Sequence, residues 1–308
     1  MPSNASSLQT SLAAAHDAAG AQHYPKGTLY LVPTPIGNLA DITLRALHVL
    51  SIADRVACED TRHTRQLLLA YGIDKPSGAW LAAHQHNERE AASALLAHLA
   101  AGERVAYASD AGTPGISDPG ARLVEAVRAA GLGVVALPGA SSVTCAVSAS
   151  GLAGDGHFVF LGFLGAKSGE RQQAVQAVAA EPRAQVLLEA PHRIAALARE
   201  LAPLDERLLT CCRELTKQHE QVHTLPAREF ADWLAQDPQR QRGEFVLVVH
   251  PAARSDEPAP LDTGVLELLL EQLPLKSATR LAAQITGQPR NALYEAALKR
   301  RKVSPHDD

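Results

Sequence analysis

Two aspartates, Asp110 and Asp118, sit inside the stretch SDAGTPGISDPG (109–120), which otherwise consists mainly of glycine, proline and small polar residues. Two further stretches share this bareness, PTPIGN (33–38) and PGASS (138–142). Glycines without a Cβ let backbone come close to a ligand, and prolines keep such bends stiff. An aspartate placed just after a strand, as Asp110 is, can accept hydrogen bonds from the hydroxyls or the amine of a small molecule. The chemistry on offer is recognition of a compact, polar cofactor. No G-K-[ST] follows any of the three stretches and no G-x-G-x-x-G follows the first, so a triphosphate or dinucleotide cradle is not expected and a cofactor without phosphates fits better.

Other constellations offer less. His84 and His86 alternate without a third ligand in view, which does not make a metal site, and none is expected. Cys58 stands beside Glu59 with no paired histidine or oxyanion loop, so cysteine hydrolase chemistry is not expected. Cys145, Cys211 and Cys212 show no zinc-ligand spacing, and the adjacent pair should point to opposite faces of a strand. They read as thiols of a reducing compartment.

The three bare stretches need a frame that brings them together. Candidate strands at 28–33, 55–59, 79–84, 104–109 and 133–137 alternate with helical spacing such as 41–50 and 118–130, the pattern of βαβ units around a parallel sheet. In such a sheet ligands collect beyond the carboxyl ends of the strands, where all three stretches fall. Asp118 followed by Pro119 also reads as a helix start. A second series of strands runs through 157–163, 184–189, 207–213, 219–225 and 244–250, with helices at 168–180, 192–202 and 226–236 and an antiparallel hairpin at QVHTL. The organisation expected is a loose tail (1–26), an α/β domain carrying the cofactor loops (27–152), a second α/β domain (153–251), a Pro-rich linker (252–262) and three short helices (263–302).

The chain has 308 residues and a net charge of −4, so any polyanion must be met by a local patch. Segment 276–302 supplies one, with seven cationic residues against the single Glu295. No apolar run is long enough for a membrane span and residues 1–26 lack a secretory pattern, so a cytoplasmic protein is expected.

Taken in order, TLYLVPTPIGNLADITLRAL, ACEDTRHT, SDAGTPGISDPG, LPGASS, EAPHR, CRELTKQHE and GEFVLVV resemble the tetrapyrrole methylase superfamily, in particular its branch that methylates ribosomal RNA. The resemblance runs from about residue 27 to 302. It implies two α/β/α domains with S-adenosyl-L-methionine in the cleft between them, a homodimer, and 2′-O-methylation of a cytidine ribose in the decoding centre of 16S ribosomal RNA in the small ribosomal subunit. Ile36, Asp110, Thr113, Ser142, Val143 and Ala190 fall at the positions where the family holds the cofactor. PTPIGN and SDAGTPG depart from the glycine-richer loop and the Gly-Asp-Pro of the tetrapyrrole-acting branch, which speaks against a porphyrin-like substrate.

Methyl transfer to a ribose hydroxyl asks chiefly for alignment, helped by a nearby base or cation. Glu59, Asp60, Glu189 and Lys217 are the candidates, with His192 behind them. Each also has a plain structural reading: Glu59 and Asp60 as caps of the next helix, Glu189 paired with Arg193, His192 as a helix-start residue, Lys217 as a solvated hairpin lysine. Arg62, Arg65, Arg193, Lys276, Arg280, Arg290, Arg300 and Arg301 are the candidate RNA contacts. Two other functions stay open, a methylase of a tetrapyrrole or corrin precursor and a non-catalytic RNA-binding assembly factor.

Overall fold

The computed structural model describes residues 5–84, 87–118, 120–152, 156–165, 168–252 and 263–303. They divide into two compact units, Met1–Ala252 and Ala253–Asp308. The first unit opens with α1 (Ala5–Ala19), β1 (Thr28–Val32), α2 (Leu44–Ile52), β2 (Arg55–Cys58), α3 (Thr61–Ala70), β3 (Trp80–Ala82), α4 (Glu88–Ala100), β4 (Val105–Ala108), α5 (Gly120–Ala129), β5 (Gly133–Ala136) and α6 (Ser142–Ala149). Its five strands form a sheet in the order β3-β2-β4-β1-β5, every neighbouring pair parallel.

Side-chain alternation along these strands feeds two cores. Tyr30, Val56 and Ala106 face α1, α2 and α3, where Leu47, Leu50 and Leu68 are buried. Leu29, Ala57, Val105 and Tyr107 face the other way, against Leu95 and Leu99 of α4 and Leu123 and Val127 of α5. Helices on both faces of a buried parallel sheet are the arrangement that near-continuous apolar strands require.

The loose tail expected over 1–26 is corrected for Ala5–Ala19, which form α1 and pack along α2. Leu12, Ala15 and Ala19 recur at three- and four-residue spacing in an alanine-rich run of good helix propensity, and Ala15 and Ala19 are buried.

The chain continues through β6 (Phe158–Phe163), α7 (Ser168–Ala180), β7 (Ala184–Glu189), α8 (Pro191–Leu201), β8 (Leu208–Arg213), β9 (Gln221–Pro226), α9 (Phe230–Ala235) and β10 (Phe245–Val249). The second sheet has the order β6-β7-β10-β8-β9; β6 and β7 are parallel and the remaining pairs antiparallel, including the β8–β9 hairpin. One face, with Leu187, Cys211 and Leu247, packs on Ile194, Leu197, Phe230 and Leu234 of α8 and α9. The other face, with Val186, Cys212, Val246 and Val248, packs on Ile36, Val143 and Ala146. The third layer over this sheet is therefore α6, supplied by the first series. Cys211 and Cys212 do face opposite sides, one in each core.

The second unit holds α10 (Gly264–Leu270), α11 (Leu275–Thr286) and α12 (Arg290–Val303), closed around Leu266, Ala278, Ala282, Leu293 and Ala297. Gly287, at φ +69°, ends α11 in the left-handed conformation that favours glycine. The Pro-rich linker lies, apart from Ala252, outside the described residues. Among the described residues no helix is long and apolar enough to cross a membrane.

Candidate active site

Because β4, β1 and β5 are parallel neighbours, the loops beyond their carboxyl ends lie side by side. Backbone contacts tie them. Thr34 and Gly112 exchange two N–H···O hydrogen bonds of 3.0 Å, and the Thr113 hydroxyl donates to the Ala140 carbonyl at 2.8 Å. The bare residues make this closeness possible. Gly112 has φ +84°, and a Cβ on Gly139 would meet Pro33 at 2.5 Å. Together the loops wall one side of a cavity of about 370 Å³. Ile36, Ser109, Ala111 to Thr113, Ser141 and Ser142 line that side, while Leu188 to Pro191, Cys212, Leu215, Phe245 and Val246 line the side belonging to the second sheet.

The charged groups among the described lining residues are all carboxylates, Glu59, Asp118, Glu189 and Glu244. Burial, followed by repulsion from Asp110 and Asp118, pushes the Glu59 carboxyl above its ordinary range, partly offset by a hydrogen bond from the Asp110 backbone N–H. Burial likewise raises Asp118, although its Oδ1 accepts from Gly115 N at 2.8 Å and Gly120 N at 2.7 Å. Asp118 Oδ2 and the Tyr107 hydroxyl are buried nearby without a protein partner. The Cys58 thiol behind them is pushed up to about 11 by burial, which keeps it inert. Glu189 has no side-chain exposure; its Oε1 accepts from Ala190 N at 2.9 Å and lies 3.2 Å from Arg193 Nε, while Oε2 is 3.7 Å from Arg171 Nη2. Glu189 is paired with Arg193 and Glu244 with Lys217, which leaves Glu59 and Asp118 as the lining carboxylates without a cationic partner among the described residues, and these favour a cationic small molecule over a phosphate.

The residues singled out in the sequence separate into groups. Ile36, Thr113, Ser142, Ala190, Glu59 and Glu189 all line the cavity. Val143 is buried beside Ser142 in the packing between the two sheets. Asp110 stands just outside, its Oδ1 accepting from Asp60 N at 3.3 Å. Asp60 caps α3, accepting from Arg62 N at 2.8 Å and His63 N at 3.4 Å and pairing with the Arg62 guanidinium. These bonds hold its carboxyl down at about 2. His192 is exposed in the first turn of α8, the helix-start reading. Lys217 is not a lining residue. Its ammonium lies 2.9 Å from both Glu214 and Glu244, and its stem passes against Gly37.

Arg65 is exposed on α3, and Lys276, Arg280 and Arg290 are exposed on α11 and α12. The side chains of Arg300 and Arg301 lie outside the described residues, as does His86. Arg193 is half-buried and committed to the wall, donating to the Leu164 carbonyl at 2.5 Å as well as pairing with Glu189. Among the described residues no group of three His, Cys, Asp or Glu is arranged to hold a metal ion. Asp118, Ile116, Phe163 and Glu244 line the cavity without having been singled out for it. Asp118 carried only its cap signal, and Phe163 only a glycine before an aromatic at a strand end.

Residues 28–231 match the family of Tetrapyrrole (Corrin/Porphyrin) Methylases, and residues 257–301 match the RsmI C-terminal HTH domain. A protein of Escherichia coli O157:H7 called ribosomal RNA small subunit methyltransferase I is 46% identical over 277 residues, 89% of this chain and 96% of the relative. A protein of Pseudomonas aeruginosa with the same name is 46% identical over 283 residues, 90% of this chain and 99% of the relative. Among solved structures, diphthine synthase superposes with a TM-score of 0.56 at 16% identity, covering 72% of this chain and 90% of that one. The methyltransferase CobJ does so with a TM-score of 0.54 at 21% identity, covering 73% and 94%. At these identities the two structures speak for the fold alone. The ordered motifs, the paired sheets and the matches along both units agree: this chain belongs to the tetrapyrrole methylase family, among the ribosomal RNA small subunit methyltransferase I proteins.

Proposed function

We propose that this chain methylates small-subunit ribosomal RNA from S-adenosylmethionine, and that the acceptor is the 2′-hydroxyl of a cytidine ribose in the decoding centre of 16S RNA. The observation that carries this reading is the cavity itself: the loops joined beyond β4, β1 and β5 wall one side of it, and Glu59 and Asp118 line it with no cationic partner among the described residues. S-adenosylmethionine fits such a wall, since it bears a sulfonium and an ammonium and no phosphate, and about 370 Å³ lies in the range of small-molecule sites. When bound, it supplies a methyl group on an already activated leaving group.

The chain's own residues do the rest. Glu59 and Asp118 place negative charge towards the cofactor's cations. The hydroxyls of Thr113 and Ser142 and the bare backbone of the loops offer polar contacts, with Ile36, Val143, Asp110 and Ala190 shaping or bracing the pocket. Glu189, fully buried and held by Ala190 N, Arg193 and Arg171, braces the end of β7 beside the pocket. Holding the acceptor in line contributes more than any single proton transfer, on the order of 7–11 kcal/mol for well-aligned reactants. RNA is gripped by the exposed cations of the C-terminal helices, with Arg62 and Arg65 adding to them, and the working form is a homodimer.

The test is to incubate the full chain with methyl-labelled S-adenosylmethionine and small ribosomal subunits from cells lacking this protein, then map the label. One labelled cytidine ribose is the expected result, with no label on precorrin-type substrates. Label on a base, or none on the subunit, overturns the reading. Calorimetry without RNA separates an enzyme, which binds the cofactor, from an assembly factor, which does not.

A further inference from the structure

β6 forms an edge of the second sheet and carries a bulge. Phe160 pairs with Val186, but Gly162 pairs with Leu187 and Phe163 with Leu188, so Leu161 is the extra residue. Side chains alternate along a strand, and a one-residue slip sends every later one to the opposite face. Val186 belongs to the sheet face that looks towards the first series, Leu187 to the opposite face, and Leu188 lines the cavity. Without the extra residue Gly162 would stand beside Leu188 and Phe163 would turn away. With it, Phe163 shares the face of Leu188 and reaches the cavity rim, where it lines the opening at 52% exposure. Gly162, at φ +65°, makes the turn at a conformation that costs other residues strain.

A second large apolar side chain lines the same cavity: Ile116, 38% exposed, from the loop after β4. The two segments approach closely, for a Cβ on Gly162 would lie 3.6 Å from Ser117 Oγ. An exposed aromatic ring at the rim of a cavity, with an aliphatic side chain lining the same cavity, offers the apolar surface on which a flat, unstacked ring stacks.

We propose that Phe163 and Ile116 form a nucleobase clamp: the ring of Phe163 stacks on an unstacked base of the RNA substrate and positions its ribose over the cavity. This rests on the reading of the chain as an RNA methyltransferase. Phe163 is a positioning residue, and the bulge at Leu161 is the device that aims it.

The test uses the full chain with Phe163→Leu, Phe163→Tyr and Phe163→Trp; the site is half exposed, so all three keep the fold, as their melting temperatures will check. Phe163→Leu keeps apolar bulk but removes the stacking face. It is expected to raise KM for small subunits roughly tenfold, while Phe163→Tyr and Phe163→Trp stay near wild type and all keep the wild-type dissociation constant for S-adenosylmethionine. In parallel, quenching of a 2-aminopurine base in a single-stranded RNA oligonucleotide is expected with wild type and lost in Phe163→Leu. Equal KM and equal quenching in wild type and Phe163→Leu overturn the clamp. So does a matching loss of cofactor affinity, which would assign Phe163 to the cofactor pocket, or a change in sedimentation, which would assign the β6 edge to a second copy. Failure of the wild type to label subunits overturns the parent reading instead, and the quenching arm still tests the clamp.

Discussion

The carboxylate of Asp110 accepts a hydrogen bond from the backbone N–H of Asp60 across 3.3 Å, joining the loop after β4 to the N-terminus of α3. Asp110 thus works on the frame of the cavity, while Glu59, Asp118, Glu189 and Glu244 are the carboxylates that line it. Replacing Asp110 by Ala removes this tie between the loop after β4 and α3, which frame the cavity. The expected loss is about 0.5–1.5 kcal/mol of cofactor affinity, or roughly a threefold to tenfold rise in dissociation constant. Asp110→Asn keeps an acceptor oxygen and should recover most of it. Equal binding by wild type and Asp110→Ala in calorimetry would remove Asp110 from any supporting role.

Glu59 gives the cavity a pH signature. Its carboxyl titrates above the ordinary range in the folded protein, chiefly from burial and then from Asp110 and Asp118, while the unfolded chain has the ordinary value near 4.3. Between those two values the folded state binds more protons, so this group's contribution to stability rises as pH falls through the folded pKa and is unfavourable at neutral pH. Glu59→Gln removes the contribution. The variant should melt above wild type at pH 7–8, the gap closing by about pH 4, and it should bind the cofactor more weakly at neutral pH. A melting difference that is independent of pH sinks this account.

Gly112 sits where two loops exchange backbone hydrogen bonds, at φ +84°, with a would-be Cβ 3.1 Å from Ile36 Cγ2. Gly112→Ala carries left-handed strain of about 1–2 kcal/mol and pushes on a cavity-lining side chain. We expect a folded protein with a modestly lower melting temperature and a clearly weaker grip on S-adenosylmethionine. Gly102→Ala, at φ +80° with open space around its Cβ position, controls for the strain and should leave cofactor binding unchanged.

Lys276, Arg280 and Arg290 are exposed on helices of the second compact unit. Neutralising all three to Gln should weaken RNA binding at low salt and flatten its logarithmic salt dependence by about 2, at roughly 0.7 per cation lost on single-stranded RNA. Cofactor affinity should not move. An unchanged salt slope in filter binding would show that these helices do not meet the phosphates.

Much of this molecule was legible in one dimension because its information is local. Strand alternation and glycine-rich stops marked both series of strands, and the ordered motifs carried the family. Four of the six family cofactor positions line the cavity, together with Glu59 and Glu189, because each lies at the carboxyl end of a strand or in the stretch that follows it. What remained hidden depends on contacts between distant segments. Asp60 and Glu59 are neighbours in sequence, yet one caps α3 and the other faces the cavity, a division made by the Asp110 loop packed against them. α1 reads as a plain alanine-rich tail until α2 offers Leu47 and Leu50 for it to cover. Phe163 reaches the rim only through one extra residue in β6, visible in the pairing with β7 and in no local pattern. Chain-local periodicity and turn chemistry determined which elements form; strand order, register and the burial of charge, which are properties of segments meeting in space, decided which side chains share the site.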